Sequence, residues 1–375
     1  MINPKRLINT FKKLVRIDSL SLKEGKIIGF INKELKKMGL KPRITGRPNG
    51  GECGSLIVDL PGRGCKGPRI LLNAHVDTVS PGNAVQLVDR KGFIRSNGKT
   101  ILGADNKAGV AAILEILKVL KESKLSHPPL QIVFTVAEEI GLIGVKALDK
   151  KGLKADFAVV LDGGDIDKII YKAPSQINIS AKIIGRAAHA GIHPEDGIHA
   201  IKAASEAVAK MKLGRIDSET TTNIGIIQGG TATNIIPDEV ELKGEARSHS
   251  KQKLHRQIRC MRRILEKTAA KRKAKAVIAA QEMYNAFEIN RSNYILQVAL
   301  RAVKQAGITP VIEQTGGGSD ANIFNARGIP SIIMGVGADR VHTTNERIKK
   351  RDLIKGTEII LNLLKECRLL CAQSP

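Results

Sequence analysis

Residues 69–79 read Arg-Ile-Leu-Leu-Asn-Ala-His-Val-Asp-Thr-Val, and this stretch decides how we interpret the fold. Its apolar run predicts a strand over residues 69–75 that is covered on both faces, as in the parallel sheets of α/β proteins. Two polar residues, His75 and Asp77, stand at the end of the run. Open parallel sheets carry their functional side chains at the carboxyl ends of the strands, so residues 69–79 predict a strand that leads into a site.

Outward from this stretch, several segments repeat a short apolar run, a polar or glycine-containing turn and then a helical pattern. This alternation predicts an α/β fold with a mostly parallel central sheet flanked by helices. Further strands of this sheet are expected over residues 55–60, 131–136, 157–161 and 331–336. Helices are expected over residues 4–15, 24–38, 106–121, 198–211, 251–267, 292–306 and 352–367.

The pattern changes between residues 174 and 290, where strands over residues 176–183, 222–227 and 239–248 accompany two of the helices. This is typical of a separate α+β domain. A chain of 375 residues is long enough for two domains. We therefore predict a first domain in two parts, residues 1–173 and 291–375, interrupted by a smaller domain over residues 174–290.

The chain is strongly basic, with 61 Lys and Arg against 36 Asp and Glu and a net charge of +25. Eleven of the basic residues fall within residues 251–275, where apolar residues at helical spacing indicate an amphipathic surface helix. A nucleic-acid-binding protein is the competing interpretation from a different class, and the charge favours it. The aromatic content of 3% and the absence of Trp oppose it, because nucleic-acid grooves use aromatic stacking. We expect no nucleic-acid partner.

No apolar stretch approaches the roughly 20 residues of a membrane span, so no membrane partner is expected. Residues 1–19 mix basic and apolar residues, which indicates an amphipathic first helix rather than a signal peptide. The five cysteines are odd in number and scattered, without a CxxC pair. This usage favours a reducing compartment and hence the cytoplasm.

Five metal-ligating side chains stand at or beyond strand ends, or in a glycine-flanked loop before a helix: His75, Asp105, Glu139, Asp162 and His342. Burying unpaired carboxylates costs several kcal/mol or more, and a metal ion removes that cost. Three carboxylates facing two divalent ions leave a formal charge of about +1, which a bridging hydroxide would neutralise. Mixed nitrogen and oxygen ligands suit zinc, with cobalt or manganese as alternatives. The sequence thus predicts a site for two divalent metal ions.

Two neighbours of these ligands have predicted roles. Asp77 follows His75 by two residues, so on a strand it points to the same face and can orient the imidazole. Its alternative role is that of a turn residue before Thr78. Glu138 is adjacent to Glu139 but directed differently, so one can bind metal while the other handles protons. We predict Glu138 as the general base.

At this point the motifs resemble a known family. Residues 73–79, 103–109, 137–141 and 185–191 resemble the di-zinc exopeptidases related to peptidase T, carboxypeptidase G2 and succinyl-diaminopimelate desuccinylase. The match continues through residues 234–238, 244–247 and 316–320, so it covers nearly the whole chain. The resemblance implies a catalytic domain interrupted by a lid and dimerisation domain, residues 174–290, and a homodimer formed through that domain.

The resemblance also implies roles for single residues. Asp105 would bridge the two metal ions, with His75 and Asp162 on one ion and Glu139 and His342 on the other. By the same resemblance His189 would stabilise the oxyanion, from the neighbouring subunit. Substrate contacts would come from Asn234, Arg247 and Gly317, although a salt bridge between domains is the alternative role for Arg247.

Residues 185–197 look most like peptidase T and its close relatives. We therefore expect an aminopeptidase that removes the N-terminal residue from di- or tripeptides. The alternative is an N-acyl-amino-acid amidohydrolase or a carboxypeptidase, which would use the same metal site on a different amide.

Overall fold

The computed structural model describes residues 1–65 and 67–371, with side chains as far as residue 367. The chain forms two compact units. The first holds Met1–Lys172, Glu288–Gln314 and the chain from Ser319 onward, and the second holds Ala173–Phe287 together with Thr315–Gly318. The sequence-based boundaries stood at residues 174 and 290, and they did not include the short segment Thr315–Gly318.

A close contact explains why that short segment lies with the second unit. A Cβ atom added at Gly318 would lie 2.1 Å from Cζ of Tyr284, so only glycine lets the backbone approach this ring. The Tyr284 hydroxyl in turn donates a hydrogen bond to Oε1 of Gln176 at 2.6 Å. A contact between residues so far apart in sequence leaves no pattern in the local composition.

The helices are numbered in chain order: α1 (Pro4–Val15), α2 (Gly25–Lys37), α3 (Ala104–Glu122), α4 (Ile143–Ala147), α5 (Ala200–Lys210), α6 (Lys251–Lys271), α7 (Tyr294–Gln305), α8 (Asp320–Ala326) and α9 (Lys350–Cys371). The strands are β1 (Arg43–Thr45), β2 (Ser55–Leu60), β3 (Ile70–His75), β4 (Leu87–Arg90), β5 (Phe93–Ser96), β6 (Leu130–Thr135), β7 (Phe157–Gly163), β8 (Lys168–Ala173), β9 (Ser175–Ile184), β10 (Gly214–Asp217), β11 (Thr220–Gly229), β12 (Glu239–Ser248), β13 (Lys275–Tyr284), β14 (Phe287–Glu288), β15 (Val311–Gln314), β16 (Ser331–Gly335), β17 (Ala338–Asp339) and β18 (Arg347–Lys349).

The main sheet of the first unit has the strand order β1-β2-β6-β3-β7-β16-β8-β14, and β15 pairs with β8. The four neighbouring strands β6, β3, β7 and β16 run parallel. Antiparallel pairs flank them, β2 on β6 and β16 on β8. Every residue of β3 and β6 is buried, as expected for central strands covered on both faces. The predicted α/β class is confirmed, with a mixed sheet whose centre is parallel.

Helix α1 shows how the first unit forms from local sequence. Pro4 stands at its first position, and the Asn3 side chain accepts the backbone N–H of Arg6 at 3.0 Å. These are the standard residues for starting a helix, so the predicted bounds of this helix are confirmed. Its apolar stripe, which includes Leu7 and Phe11, is buried, and α1 packs against α3 and α9.

The second unit is a five-stranded antiparallel sheet with the order β10-β11-β12-β9-β13. Helices α5 and α6 pack on one face of this sheet. Alternate residues of β9, from Ile177 to Ile183, and of β12 form the apolar core beneath the helices. The pattern of alternating burial on each strand follows from a sheet covered on one face.

The basic run over residues 251–275 is only partly helical, so the sequence interpretation was wrong at its C-terminal end. Helix α6 ends at Lys271, and Lys275 is already the first residue of β13. Lys273 takes a left-handed φ of 58°, and the N–H of Ala274 donates to the carbonyl of Ala269 at 2.9 Å. This is a Schellman end, which usually carries glycine at the left-handed position. With lysine there, the usual sequence signal is missing.

A smaller sheet in the first unit, with the order β17-β18-β5-β4, was not predicted. Its strands are two to four residues long and bury only three of their thirteen residues, so they lack the apolar run that marks a buried strand. Within the described part of the chain, no helix is both long enough and apolar enough to cross a membrane.

Candidate metal centre

The structure brings all five predicted ligands together in the first unit. His75 is the last residue of β3. Asp162 is the penultimate residue of β7, the strand next to β3 in the sheet. Glu139 stands in the loop after β6, and His342 in the loop between β17 and β18. Asp105 lies in the first turn of α3. The parallel strands β6, β3 and β7 thus deliver three of the five side chains at one edge, as expected for an open sheet.

Asp105 stands between the two imidazoles and presents a different oxygen to each. Its Oδ1 lies 3.0 Å from Nε2 of His75, and its Oδ2 lies 3.3 Å from Nε2 of His342. On one side Oδ1 of Asp162 lies 3.4 Å from the same His75 nitrogen. On the other side Oε1 of Glu139 lies 2.9 Å from the same His342 nitrogen. The five side chains therefore divide into two groups that share Asp105.

The donor atoms of this cluster suit metal ions. Ligand atoms of His75, Asp105 and Glu139 all lie within 4.8 Å of one another. Imidazole nitrogen and carboxylate oxygen are the ligands that zinc and related divalent ions take in catalytic sites. Three carboxylates so close together repel one another, and a cation relieves that repulsion. The residues present therefore fit a metal-binding site.

The closeness of these charged groups also shifts their pKa values. Burial acts to lower the pKa of His75, but the carboxylates of Asp105, Asp162 and Asp77 outweigh it and raise this pKa well above its ordinary value. Hydrogen bonds to Asp105 and Glu139 raise the pKa of His342 to about 10. Burial raises the pKa of Asp162 to about 7. Protons and metal ions would therefore compete for these side chains.

The backbone at Asp105 differs from the sequence expectation. A loop followed by a helix from residue 106 was predicted, whereas α3 begins at Ala104 with Asp105 and Asn106 inside its first turn. Both residues have non-helical backbone angles, with φ −79° and ψ 106° at Asp105, and the peptide bond between them is cis. The side-chain amide of Asn106 donates to Oδ1 of Asp162 at 3.3 Å.

Asp77 contacts His75 and also the loop that carries both glutamates. The Nδ1 atom of His75 lies 3.1 Å from the backbone carbonyl of Asp77 and 3.4 Å from its carboxylate. Since a carbonyl only accepts, Nδ1 carries the hydrogen in this contact, and Nε2 is left to face Asp105. The Asp77 carboxylate accepts the backbone N–H groups of Glu138 at 3.0 Å and Glu139 at 3.1 Å. Ser21 donates its hydroxyl to the same carboxylate at 2.7 Å.

Glu138 is buried, and burial raises the pKa of its carboxyl group well above the ordinary value. The residue before it, Ala137, has a left-handed φ of 49°, so the chain turns sharply after β6. The turn separates the side chains of Glu138 and Glu139, of which Glu139 approaches His342. A buried carboxyl with a raised pKa, beside the candidate metal centre, is suited to proton transfer.

Buried carboxylates beyond the predicted set also surround the cluster. Asp320 accepts a hydrogen bond from the hydroxyl of Thr135, whose oxygen accepts the side-chain amide of Asn73 at 3.1 Å. Burial raises the pKa of Asp320 to about 6. Glu24 accepts the backbone N–H groups of Leu22 and Ala137, both at 2.9 Å. The sequence signal that could have revealed the contacts of Asp320 is the presence of two polar residues, Asn73 and Thr135, inside apolar strands.

The four remaining predicted site residues lie in the second unit. His189 is exposed, and its Nδ1 accepts the backbone N–H of Gly191 at 3.2 Å. Asn234 lies in the adjacent segment, where its carbonyl accepts the N–H of Ala190 at 2.9 Å. Arg247 on β12 donates Nε and Nη2 to the Glu245 carboxylate at 2.7 and 3.1 Å. Gly317 lies in the short segment Thr315–Gly318.

Comparison with known proteins identifies the class and the family of this chain. Residues 71–366 match the family model described as Peptidase family M20/M25/M40. The chain is 40% identical over 369 residues to the uncharacterized protein YqjE of Bacillus subtilis (strain 168), covering 98% of this chain and 99% of that protein. The class is that of the metallo-exopeptidases, hydrolases that act on peptide bonds.

Two solved structures of similar proteins support the same family. A tripeptidase from Staphylococcus aureus subsp. aureus Mu50 superposes with a TM-score of 0.92 at 39% identity, covering 100% of both chains. The aminopeptidase PepT from Bacillus cereus ATCC 10987 superposes with a TM-score of 0.85 at 40% identity, covering 98% of this chain and 99% of that one. The chain therefore belongs to peptidase family M20/M25/M40, and the resemblance to peptidase T-like exopeptidases is confirmed.

Proposed function

We propose that this enzyme removes the N-terminal residue from di- or tripeptides with the help of two divalent metal ions. The observation that carries the proposal is the position of Asp105, which faces His75 with one oxygen and His342 with the other. Support for the peptide substrate comes from the tripeptidase and the aminopeptidase PepT, to which the chain is similar over nearly its whole length.

In this proposal His75 and Asp162 would hold one ion, Glu139 and His342 would hold the other, and both ions would share Asp105. Zinc is the ion we assign, because imidazole and carboxylate ligands suit it, with cobalt or manganese able to replace it. The hydrogen bond from Nδ1 of His75 to the Asp77 carbonyl keeps Nε2 directed at the cluster. Asp77 is thus the residue that orients the imidazole.

When bound, the two ions supply polarisation of the scissile carbonyl and a lowered pKa of water. Glu138 accepts a proton from the attacking water and delivers it to the nitrogen of the departing amine. The backbone contacts of Asp77 and Glu24 hold the loop over Ala137–Glu139, and so hold Glu138 in place. Proton transfer of this kind typically contributes about 10²–10⁴-fold in rate.

The second unit would supply substrate contacts. We assign His189 to the developing oxyanion, and Asn234, its neighbour in an adjacent segment, to the substrate backbone together with Gly317. Arg247 would bind a substrate carboxylate by a charge-assisted pair. Since Arg247 already pairs with Glu245, a substrate carboxylate would have to compete with that glutamate for the guanidinium group.

We also propose that the enzyme is a homodimer formed through the second unit, where His189 acts on the substrate of the neighbouring chain. Ile226 and Ile227 on β11 expose 49% and 53% of their surface, which is high for isoleucine. A cytoplasmic location fits the free thiols of Cys53, Cys65 and Cys260.

The test compares matched substrates on metal-reconstituted enzyme. The substrates are trialanine carrying ¹³C in its N-terminal residue, the N-acetylated form of this tripeptide, which lacks the free amine, and N-acetylalanine, whose one amide is the acyl bond. We expect hydrolysis of the labelled trialanine with release of ¹³C-labelled alanine, and at least about 100-fold slower turnover of both acetylated compounds. Preferred cleavage of N-acetylalanine would assign the amidohydrolase activity instead, and release of the C-terminal residue would assign a carboxypeptidase.

A further inference from the structure

Glu346 is a buried carboxylate with no role in the ligand set. It is 0% exposed and lies four residues after His342 in the loop leading to β18. Its Oε2 accepts the backbone N–H groups of Leu102 and Gly103, each at 2.7 Å. Its Oε1 accepts the backbone N–H of Asp105 at 3.0 Å. One side chain thus accepts three N–H groups of the segment that carries the shared carboxylate.

The segment needs such a partner for a physical reason. Gly103 has a left-handed φ of 75°, and the backbone turns there so that successive N–H groups point the same way. These groups lie before the regular part of α3 and have no carbonyl of that helix to bond. A buried N–H without an acceptor costs about 1–3 kcal/mol, so Glu346 holds a conformation that would otherwise be unfavourable.

A buried ammonium group also lies beside this turn. Lys107 is fully buried, and its Nζ donates to the backbone carbonyl of Ile17 at 2.8 Å. The same Nζ lies 3.7 Å from the position that a Cβ of Gly103 would occupy. A carboxyl group and an ammonium group therefore both lie close to the Gly103 turn.

We propose that Glu346 is a positioning residue for Asp105, holding its backbone so that the carboxylate stands between His75 and His342. This rests on the proposed two-metal site. Glu346 acts through the peptide backbone and contacts neither substrate nor metal. Its effect is on metal affinity, and a group that only stabilised the fold would leave that affinity unchanged.

The Glu346→Gln variant tests the positioning role of Glu346, because glutamine has nearly the same size and shape as glutamate. Glutamine has one acceptor oxygen, whereas the segment presents N–H groups to both carboxylate oxygens. If the amide oxygen takes the Oε2 position, the NH₂ group faces the N–H of Asp105, and donor meets donor. If the amide flips, the bonds to Leu102 and Gly103 are lost instead. Either orientation releases part of the segment.

Glu115→Gln is the matched control. Glu115 lies ten residues beyond Asp105 on α3, is 1% exposed, and accepts the backbone N–H of Asn3 at 2.8 Å. It also pairs with Arg6, so its loss affects the packing of α1 on α3. This variant removes a buried carboxylate that accepts a backbone N–H, without touching the Leu102–Asp105 segment.

The experiment titrates metal-free protein with Co²⁺, following the heat of binding and the visible absorption of the bound ion. We expect wild type and Glu115→Gln to bind two ions per chain with equal affinities. Glu346→Gln should bind at least one of the two ions about 10- to 100-fold more weakly, the usual effect of losing a partner behind the ligands. Glu346→Asp, which keeps both oxygens, should fall between wild type and Glu346→Gln.

Equal affinities in wild type and Glu346→Gln, or an equal weakening in Glu115→Gln, would overturn the role of Glu346 and leave the two-metal site in place. A wild-type stoichiometry of one would overturn the two-metal site and this inference with it. Should Glu346→Gln not fold, Glu346→Asp decides the question: weaker binding of one ion supports the inference, and wild-type affinity for both overturns it.

Discussion

Oε1 of Glu139 lies 2.9 Å from Nε2 of His342, although 203 residues separate them in sequence. His342 reaches this position from a left-handed φ of 60°, and half of its side chain is exposed. The backbone of Glu139 is held in place because its N–H donates a hydrogen bond to the Asp77 carboxylate. A rigid carboxylate and an accessible imidazole so placed form one side of the candidate metal centre.

Replacing His342 with alanine should remove one metal ion and keep the other. The exposed side chain adds little to the core, so the fold should be unaffected. The group formed by His75, Asp162 and Asp105 retains its three donors. Elemental analysis of metal-replete protein should fall from two ions per chain to one. A variant that still binds two ions, or binds none, would contradict the division of the ligands into two groups.

Glu138→Gln and Glu139→Gln should differ, although the two residues are adjacent. We expect Glu138→Gln to keep two metal ions and lose at least about 10²-fold in turnover, because it removes a proton-transfer group and no ligand. Glu139→Gln should lose turnover and metal together. Metal content and initial rates measured on the same samples provide the comparison. Identical behaviour of the two variants would show that the roles are wrongly assigned.

Stability should depend on pH through Glu24. Burial raises the pKa of this carboxyl from 4.5 to about 7, and its second oxygen, Oε2, is buried without a hydrogen-bond partner in the structure. The folded state therefore holds a proton that the unfolded state has released, so ionisation disfavours folding as pH rises from 4.5 to about 7.

The Glu24→Gln variant cannot ionise at this position. Relative to wild type it should gain about 1–3 kcal/mol between pH 4.5 and 7.5, since one pKa unit corresponds to about 1.4 kcal/mol. Chemical denaturation across this range measures the difference, with the exposed Glu195→Gln as the control for losing one negative charge. A difference that stays constant with pH, or that falls, would mean that Glu24 is ionised at no cost in the folded protein.

The basic helix α6 should tolerate reversal of its charge. Arg256, Arg259, Arg263 and Lys267 are all exposed, and the apolar stripe of the helix packs on the sheet through other residues. Changing all four to Glu should leave turnover of trialanine within about twofold, as expected of a solvated surface. A large loss of activity at unchanged stability and low salt would show instead that these charges guide acidic substrates.

Local sequence predicted the parts of the fold that local forces determine. Every predicted helix begins and ends within four residues of the observed bounds. The failures are equally informative. The end of α6 depends on a lysine, Lys273, in a left-handed conformation that composition does not reveal, and strand β13, which follows it, was not predicted. The small sheet depends on pairing between short strands that bury few of their residues.

The residues of the candidate site likewise include some that local sequence predicts and some that it does not. His75 and Asp162 could be predicted because polar residues at the ends of apolar strands stand out. Glu346 could not be predicted from the residues alone, because its partners are backbone N–H groups up to 244 residues away. Glu24 likewise bonds the backbone of Ala137, 113 residues distant. Side chains that act through the backbone of another segment are found only once the chain is folded.

The central claim is that Asp105 is shared by two metal ions, and a crystal of the zinc-loaded protein measured at the zinc absorption edge tests it most directly. We expect two anomalous peaks about 3.5–4 Å apart, the usual spacing of two-metal sites. One peak should lie beside His75 and Asp162, the other beside Glu139 and His342, with one oxygen of Asp105 bound to each. A single peak in fully loaded protein, or two peaks of which only one contacts Asp105, would contradict the account.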